Sequence, residues 1–270
     1  MGKTWRLILD QKCDGYYNMA VDEAILLGYS SSKIPTLRLY GWDKPFISLG
    51  YNQNFREVLN SQNEIPFVRR ITGGSAILHH KELTYSLVCS LEDLNLPKAV
   101  KVSYKIICSF LKHFYGQLGL KAYFANDLKS EDQESIKGLG KYNNFCFSSW
   151  QHFDLLVEGR KIGGSAQRRR KNIIFQHGSI PQEINSAWIK RTIKSSGDLK
   201  GRATSLEEVL GKSLSFELLS SLLYSSFKLT FGTEFNRKKL LPTEEEKVAS
   251  LLKAKYRTKE WNNYKIFKNA

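Results

Sequence analysis

The sequence predicts an α+β fold, with a mixed β-sheet core flanked by helices. Three observations predict it. Short segments of period-two hydrophobicity fill the first two thirds of the chain. Two longer segments, 18–29 and 99–118, carry helical spacing among them. After residue 180 the strand signals stop and three helical segments follow.

Taken in order, residues 18–29 (NMAVDEAILLGY) form a helix with Met19, Ala20, Ala24 and Leu27 on one face. Residues 36–40 and 46–50 are strands around a turn at 41–45. A short strand at 67–70 leads into Gly73-Gly74, and 83–90 returns as a strand. Val102, Ile106, Phe110, Phe114 and Leu118 predict a long helix over 99–118 packed by that face. Residues 121–124 are strand-like. The polar stretch 129–144 holds glycines at 138 and 140, is expected to be a mobile loop, and runs into Cys146.

Phe153, Leu155 and Val157 then alternate with Asp154, Leu156 and Glu158, the period of a strand with one buried face. Glu158-Gly159 suits a tight hairpin turn. The returning strand carries Lys161 and Ile162 and runs on through Gly163, Gly164, Ser165 and Ala166. Small residues in a strand let a ligand or another backbone come close. Arg170-Lys171-Asn172 makes a polar turn, and 173–180 is a third strand bearing His177. One short sheet is thus expected to gather a nearby cysteine, a lysine, a row of missing side chains and His177. Helices follow at 184–194, 216–231 and 243–256, the last behind Pro242 with Thr243 and Glu246 as a capping box. The expected organisation is a main domain over 1–235 and a helical extension over 236–270.

The 270 residues are enough for a large core. No apolar run is long enough to span a membrane, and MGKTWRLILD lacks the apolar core of a signal peptide. Arg6 stands where a myristoylation motif needs Ser or Thr. A cytoplasmic protein is expected. The four cysteines (Cys13, Cys89, Cys108, Cys146) form no CxxC pair, which argues against a disulfide framework or a structural zinc site. Cys89 and Cys108 lie in apolar patterns and read as core. Net charge is +15, from 41 Lys and Arg against 26 Asp and Glu, so the surface attracts polyanions. Nucleic acid and an acidic protein fit that charge equally.

Two clusters carry chemistry. In Arg69-Arg70-Ile71-Thr72-Gly73-Gly74-Ser75-Ala76, followed by His79, paired glycines let backbone N–H groups converge on an anion. The arginines add forked donors for a phosphate, a carboxylate or the pantetheine end of a thioester. The alternative is a plain turn; the GK[ST] ending of a Walker loop is missing. In the second cluster, Lys161 supplies a field that lowers the pKa of Cys146 if the fold brings them together. Otherwise it is an ordinary hairpin charge. His79, His80 and His177 have no carboxylate or cysteine at metal-ligand spacing, so they read as core or loop and no metal is expected. Arg168 to Lys171 reads as a solvated turn or a docking patch. Residues 256–262 read as a packed terminal anchor around Trp261.

RRITGGSAILHHKELTYS and EGRKIGGSAQRRRKNIIFQHGSI resemble the two signature regions of the biotin/lipoate protein ligase-like acyltransferase superfamily. Within it the chain resembles the octanoyl-[acyl-carrier-protein]:protein N-octanoyltransferases of lipoate assembly. WRLILD, NMAVDEAIL, LRLYGW, LGYNQN and KYRTKEWN extend the similarity nearly end to end, and Cys146-Phe147 stands at the family's cysteine. The resemblance implies a biotin/lipoate ligase-like catalytic domain over 1–235. It implies that Cys146 takes octanoyl from acyl carrier protein as a thioester, and that a lysine of a lipoyl domain or the glycine-cleavage H protein then receives it as an amide. Lys161 would generate the thiolate and hold the acyl carbonyl. Arg70, Thr72, Gly73, Gly74, Ser75, His79, Gly163, Gly164, Ser165, Ala166 and His177 would line the slot for the eight-carbon chain. Ser75 replaces a glycine frequent in the superfamily, narrowing the loop and weakening the phosphate reading.

The implied enzyme is a monomer without cofactor. Its protein partners are acidic, which gives the positive charge a steering role and leaves nucleic acid unnecessary. Three rivals stand beside it. An ATP-dependent lipoate–protein ligase would need ATP and Mg²⁺ and no Cys146. Such ligases often carry an accessory C-terminal domain, and the helical extension here favours the transferase. An amidotransferase between H protein and lipoyl domains would use the same cysteine. A non-catalytic basic binding module would need neither Cys146 nor Lys161.

Overall fold

In the computed structural model, residues 3–127, 144–148, 153–196 and 199–267 are described. Residues 129–143 of the expected loop lie outside them. The strands, in chain order, are β1 (Thr4–Cys13), β2 (Thr36–Trp42), β3 (Phe46–Leu49), β4 (Phe67–Arg69), β5 (Ile77–His79), β6 (Glu82–Ser90), β7 (Ala122–Phe124), β8 (Leu155–Val157), β9 (Arg160–Lys161), β10 (Gly164–Arg170), β11 (Ile173–Pro181) and β12 (Glu234–Arg237). The helices that build the layers are α1 (Gly15–Ser32), α2 (Val100–Gln117), α3 (Ser186–Thr192), α4 (Phe216–Phe231), α5 (Pro242–Leu251) and α6 (Lys259–Tyr264).

Six strands form the main sheet in the order β10-β11-β6-β2-β1-β12. The β12-β1-β2 edge is parallel and the rest antiparallel. The sheet is mixed, as the sequence predicts. It is buried on both faces because side chains alternate between two cores. Leu37, Leu39, Leu83, Tyr85 and Leu87 pack under α2 and α4. Tyr40, Val88 and Phe175 pack on the other face, against α1 and α5. Arg38 also points to that face and is fully buried. Its guanidinium is answered by Asp10 at 2.7 Å, Asp22 at 2.8 Å and the Asn18 amide oxygen at 2.9 Å.

α1 starts where the Asp14 carboxylate accepts from the Tyr17 N–H, and it ends at Lys33 in the left-handed region. The buried face of α2 is Ile107, Phe110, Leu111, Phe114 and Tyr115, whereas Val102 and Ile106 are exposed. The expected stripe of four-residue steps fails for a geometric reason. Each step advances about 40° around the helix, so the stripe winds off the buried face.

The hairpin at Glu158-Gly159 forms as predicted, with both residues at positive φ, the geometry of a tight two-residue turn. The strand beyond it does not continue as predicted. β9 ends at Lys161 in a small sheet ordered β7-β8-β9, and the chain crosses at Ile162-Gly163 into β10 of the main sheet. Gly163 permits the crossing: a Cβ there would sit 3.0 Å from the Ser179 carbonyl oxygen. β8 is also buried throughout rather than on one face. Lys161 and His177 therefore belong to two different sheets, not one.

The expected solvated turn at Arg168 to Lys171 shrinks to Lys171-Asn172. Arg168 donates to the Ile71 carbonyl at 2.9 Å, and Arg169 to the Lys98 carbonyl at 2.6 Å. The capping box also differs. The N-cap is Leu241, and Glu244, not Glu246, reaches back to its N–H at 2.8 Å. Glu244 in addition takes a two-pronged pair from Arg6, at 2.6 and 2.7 Å, with both side chains buried. Residue 236, the first of the expected extension, is inside β12, so that segment begins as an edge strand of the main sheet and continues as α5 on α1.

Candidate active site

The site forms where a third small sheet, β4-β3-β5, meets the seam between the other two. The glycine loop is hydrogen-bonded to the segment that carries Cys146. Ala76 N–H donates to the Asn144 carbonyl and Cys146 N–H to the Ala76 carbonyl, both at 2.9 Å. Cys146 then opens a single 3₁₀ turn, closed where the Ser148 hydroxyl donates to the Phe145 carbonyl at 2.6 Å. The loop that holds the cysteine is thus fixed by the glycine loop 70 residues upstream.

Lys161 is almost fully buried, and its Nζ is the centre of the site. It lies 2.6 Å from Asp154 Oδ2, 3.0 Å from the Cys146 carbonyl oxygen and 3.5 Å from Cys146 Sγ. Its backbone is clamped, with the N–H on the Arg202 carbonyl and the carbonyl accepting from Thr204. Burial pulls the amine toward its neutral form, but the Asp154 carboxylate and the Cys146 sulfur outweigh burial and hold its pKa above the ordinary lysine value. The group facing the sulfur is therefore an ammonium at neutral pH, able to stabilise a thiolate or a developing oxyanion.

Cys146 borders two spaces. Inward lies a narrow, mostly apolar pocket with a free volume of about 50 Å³. Met19, Trp42, Ile77, His79, Ala166 and Gly178 are among its lining. Outward lies an open groove of about 400 Å³ between Gly73, Val100, Lys101, Tyr104, Phe153 and Gln167. Lys161 and Asp154 face the groove.

The cavity walls explain the small residues. A Cβ at Gly164 would lie 3.2 Å from Cys146 Sγ, and one at Gly178 2.4 Å from the Tyr85 ring. Ser165 and Ala166 line both cavity and groove, and the Ser165 hydroxyl is within 2.8 Å of the Tyr85 hydroxyl. Gly74, at positive φ, also borders both spaces, whereas Gly73 and Ser75 border only the groove.

The arginines of the glycine loop are not aimed at an anion. Arg70 donates to the carbonyls of Ser48, Gly73 and Ser75 at 2.8 to 2.9 Å, bracing the turn from within. Arg69 donates to the carbonyls of Gln53 and Asn262 at 2.6 and 2.8 Å, tying the loop to the C-terminal segment. Trp261 completes that anchor by donating to the Arg69 carbonyl at 2.9 Å. Gly50 is pressed against this loop, since a Cβ there would fall 1.8 Å from the Gly74 carbonyl oxygen. Gly50→Ala is expected to displace the loop at a cost of ~1–3 kcal/mol, read from the urea midpoint. An unchanged midpoint would contradict the contact.

Two predicted lining residues, Thr72 and Gly163, act from behind. Thr72 lines neither space; its hydroxyl pairs with His177 Nε2 at 2.7 Å. Gly163 borders a smaller internal space behind the site, with Tyr115 and Ser179. His177 reaches the cavity wall, and its Nδ1 lies 3.7 Å from Asp22 Oδ2, a charge contact beyond hydrogen-bond length. Burial lowers the His177 pKa more than Asp22 restores it, so the ring is neutral at pH 7. His79 stacks on Trp42 at 3.8 Å between ring centres and is held by Glu82 at 2.9 Å and Ser48 at 2.7 Å. Among the described residues, no group of three His, Cys, Asp or Glu side chains is placed to hold a metal ion.

The sequence reading left out Asp154, Met19, Trp42, Gly50 and Tyr85. Asp154 was legible. The hairpin register puts Leu156 opposite Lys161, so Asp154, two residues upstream, shares the lysine's face at the diagonal position.

The lipoyl protein ligase A/B catalytic domain model matches residues 14–228. The chain belongs to that family. The octanoyltransferase LipM of Halalkalibacterium halodurans is 35% identical over 96% of this chain and 99% of its own length. That of Bacillus subtilis is 32% identical over 96% and 98%. A bipartite lipoate protein ligase from Thermoplasma acidophilum has the same fold, with a TM-score of 0.78 at 21% identity, covering 99% of each chain. A lipoate-protein ligase A crystallised with ATP gives 0.79 at 22%, covering 97% of this chain and 99% of the other. Membership makes this chain an acyltransferase with the lipoate-ligase fold. None of its described helices is long and apolar enough to cross a membrane.

Proposed function

We propose that this acyltransferase moves an octanoyl group from octanoyl-acyl carrier protein, through a thioester on Cys146, to a lysine of a lipoyl domain or glycine-cleavage H protein. One observation carries the reading. Cys146 Sγ stands between an inner apolar pocket and an outer groove, with the Lys161 ammonium 3.5 Å away. The cavity accepts the alkyl chain, whose six methylenes are worth roughly 5 kcal/mol at about 0.8 kcal/mol each when buried. The groove admits the donor's thioester arm and then the acceptor's lysine. The names of the relatives support octanoyl as the acyl group.

In the first half-reaction the Cys146 thiolate attacks the thioester carbonyl carbon. The bond from that carbon to the donor sulfur breaks, and the donor leaves as a thiol after taking a proton. In the second half, the neutral acceptor amine attacks the same carbon. The bond to Cys146 breaks, an amide forms, the amine gives up one proton, and the thiolate is restored. A thioester is already activated toward both nucleophiles, so the reaction as proposed needs neither ATP nor metal. The excess positive charge steers acidic protein partners to the groove.

The test is intact-protein mass after mixing with octanoyl-acyl carrier protein without ATP. A hydroxylamine-labile octanoyl adduct on Cys146 is expected. Transfer that appears only with free octanoate or lipoate, ATP and Mg²⁺ would make the protein a ligase instead.

A further inference from the structure

We propose that Asp154 is a positioning residue, fixing the Lys161 ammonium against Cys146 and making it the proton store of the transfer. The proposal rests on the thioester reading above. The geometry is specific. An ammonium has three N–H bonds, and here Asp154 Oδ2, the Cys146 carbonyl oxygen and Cys146 Sγ surround it. Asp154 and Lys161 side chains are 6% and 2% exposed, so water does not screen the pair. Neither end has slack. The Asp154 carbonyl holds the Ala125 N–H at 2.9 Å, and the Lys161 backbone is clamped between Arg202 and Thr204.

The charges follow through the cycle. Asp154 and Lys161 together are neutral before reaction. When the donor thiolate departs, Lys161 gives it a proton and becomes a neutral amine. Asp154 is then a buried carboxylate without its cation, which is costly. That cost favours return of a proton to Lys161, and the proton lost by the attacking acceptor amine supplies it. The pair is neutral again, Cys146 is a thiolate, and one proton has moved from acceptor amine to donor thiol. Without the carboxylate, Cys146 alone opposes burial, and the lysine holds its proton less firmly.

Among the described residues, the other titratable or charged groups near Nζ are Cys146, Tyr104 and Lys101 of α2, and Arg202, whose carbonyl accepts from the Lys161 N–H. Burial holds the Tyr104 hydroxyl well above its ordinary range, so it stays neutral. Lys101 and Arg202 add positive charge and do not replace the carboxylate. The sign of the pH effect follows. Activity requires the ammonium, so it is present below the Lys161 pKa and lost above it. Asp154 raises that pKa against burial. Removing Asp154 leaves burial opposed by Cys146 alone, and the alkaline limb moves to lower pH.

The experiment measures kcat and KM from pH 6 to 11 with octanoyl-pantetheine as donor and a lipoyl domain as acceptor. Asp154→Asn is expected to lower kcat on the order of 100-fold. KM for the donor should stay within about twofold, and the alkaline limb should fall by at least about one pH unit. Asp154→Glu should restore the limb. If Asp154→Asn does not fold, Asp154→Ser serves, with the same fall of the alkaline limb expected. An unmoved limb in either variant, with or without loss of kcat, overturns the proposal. Failure of the wild-type protein to form the Cys146 adduct would count against the thioester reading instead.

Discussion

Cys146→Ala should abolish the octanoyl adduct and lower transfer on the order of 10⁴-fold or more, while leaving the fold intact. The size of the effect comes from what the cysteine is in this site. It borders both the inner pocket and the outer groove, and its sulfur faces the Lys161 ammonium. Ser165 borders both as well, but its hydroxyl is paired with Tyr85, and a serine alcohol beside an ammonium has no base to ionise it. Removing a covalent nucleophile leaves only binding and electrostatic assistance, which are residual contributions. Stability should change by less than ~1 kcal/mol, because Cys146 is only partly buried. The check is kcat together with the urea midpoint. Full transfer by Cys146→Ala would remove the covalent mechanism outright. Cys146→Ser should load slowly and form an ester resistant to the mild hydroxylamine that cleaves a thioester.

Arg6→Ala should destabilise the protein by ~3–5 kcal/mol, a large share of the ~5–15 kcal/mol typical of a domain. Arg6 makes a two-pronged pair with Glu244, and both side chains are at most 3% exposed. Truncation leaves a buried carboxylate with the Leu241 N–H at 2.8 Å as its remaining short bond. The double variant Arg6→Leu/Glu244→Leu should recover most of the loss, since removing both charges removes the uncompensated one. Urea unfolding with an unchanged slope measures both. A single variant within 1 kcal/mol of wild type would show that the carboxylate finds water or another donor.

Much of this was readable in advance where the chain's own pattern decides the outcome. α1, the Glu158-Gly159 hairpin and the strand at 173–181 follow from periodicity and turn chemistry alone. Cys146 and Lys161 follow from family motifs, and the fold brings them together across 15 residues. What escaped depends on distant partners. β12 is four mostly exposed residues, EFNR, with no strand signal; it is a strand because β1 offers it an edge. Arg69 and Arg70 look like an anion clamp because sequence displays their charge. It does not display the backbone carbonyls that take their donors. Asp154 was read as the polar face of a half-buried strand. Burial of β8 on both faces turns that face inward and leaves Lys161 as the carboxylate's partner.

The pairing of β1 with β12 has a consequence for how the chain is made. Thr4 meets Glu234, and Arg6 meets Glu244, so β1 finishes its contacts with residues made about 230 positions later. At roughly 5–20 residues per second the outer edge of β1 waits on the order of 10–50 s for its neighbour. Throughout that interval an unpaired edge and an unanswered arginine are on show, and an open edge invites pairing with other nascent chains. Arg6 guards the strand during the wait, because a charge beside an open edge resists such pairing, and it becomes a buried tie once Glu244 arrives.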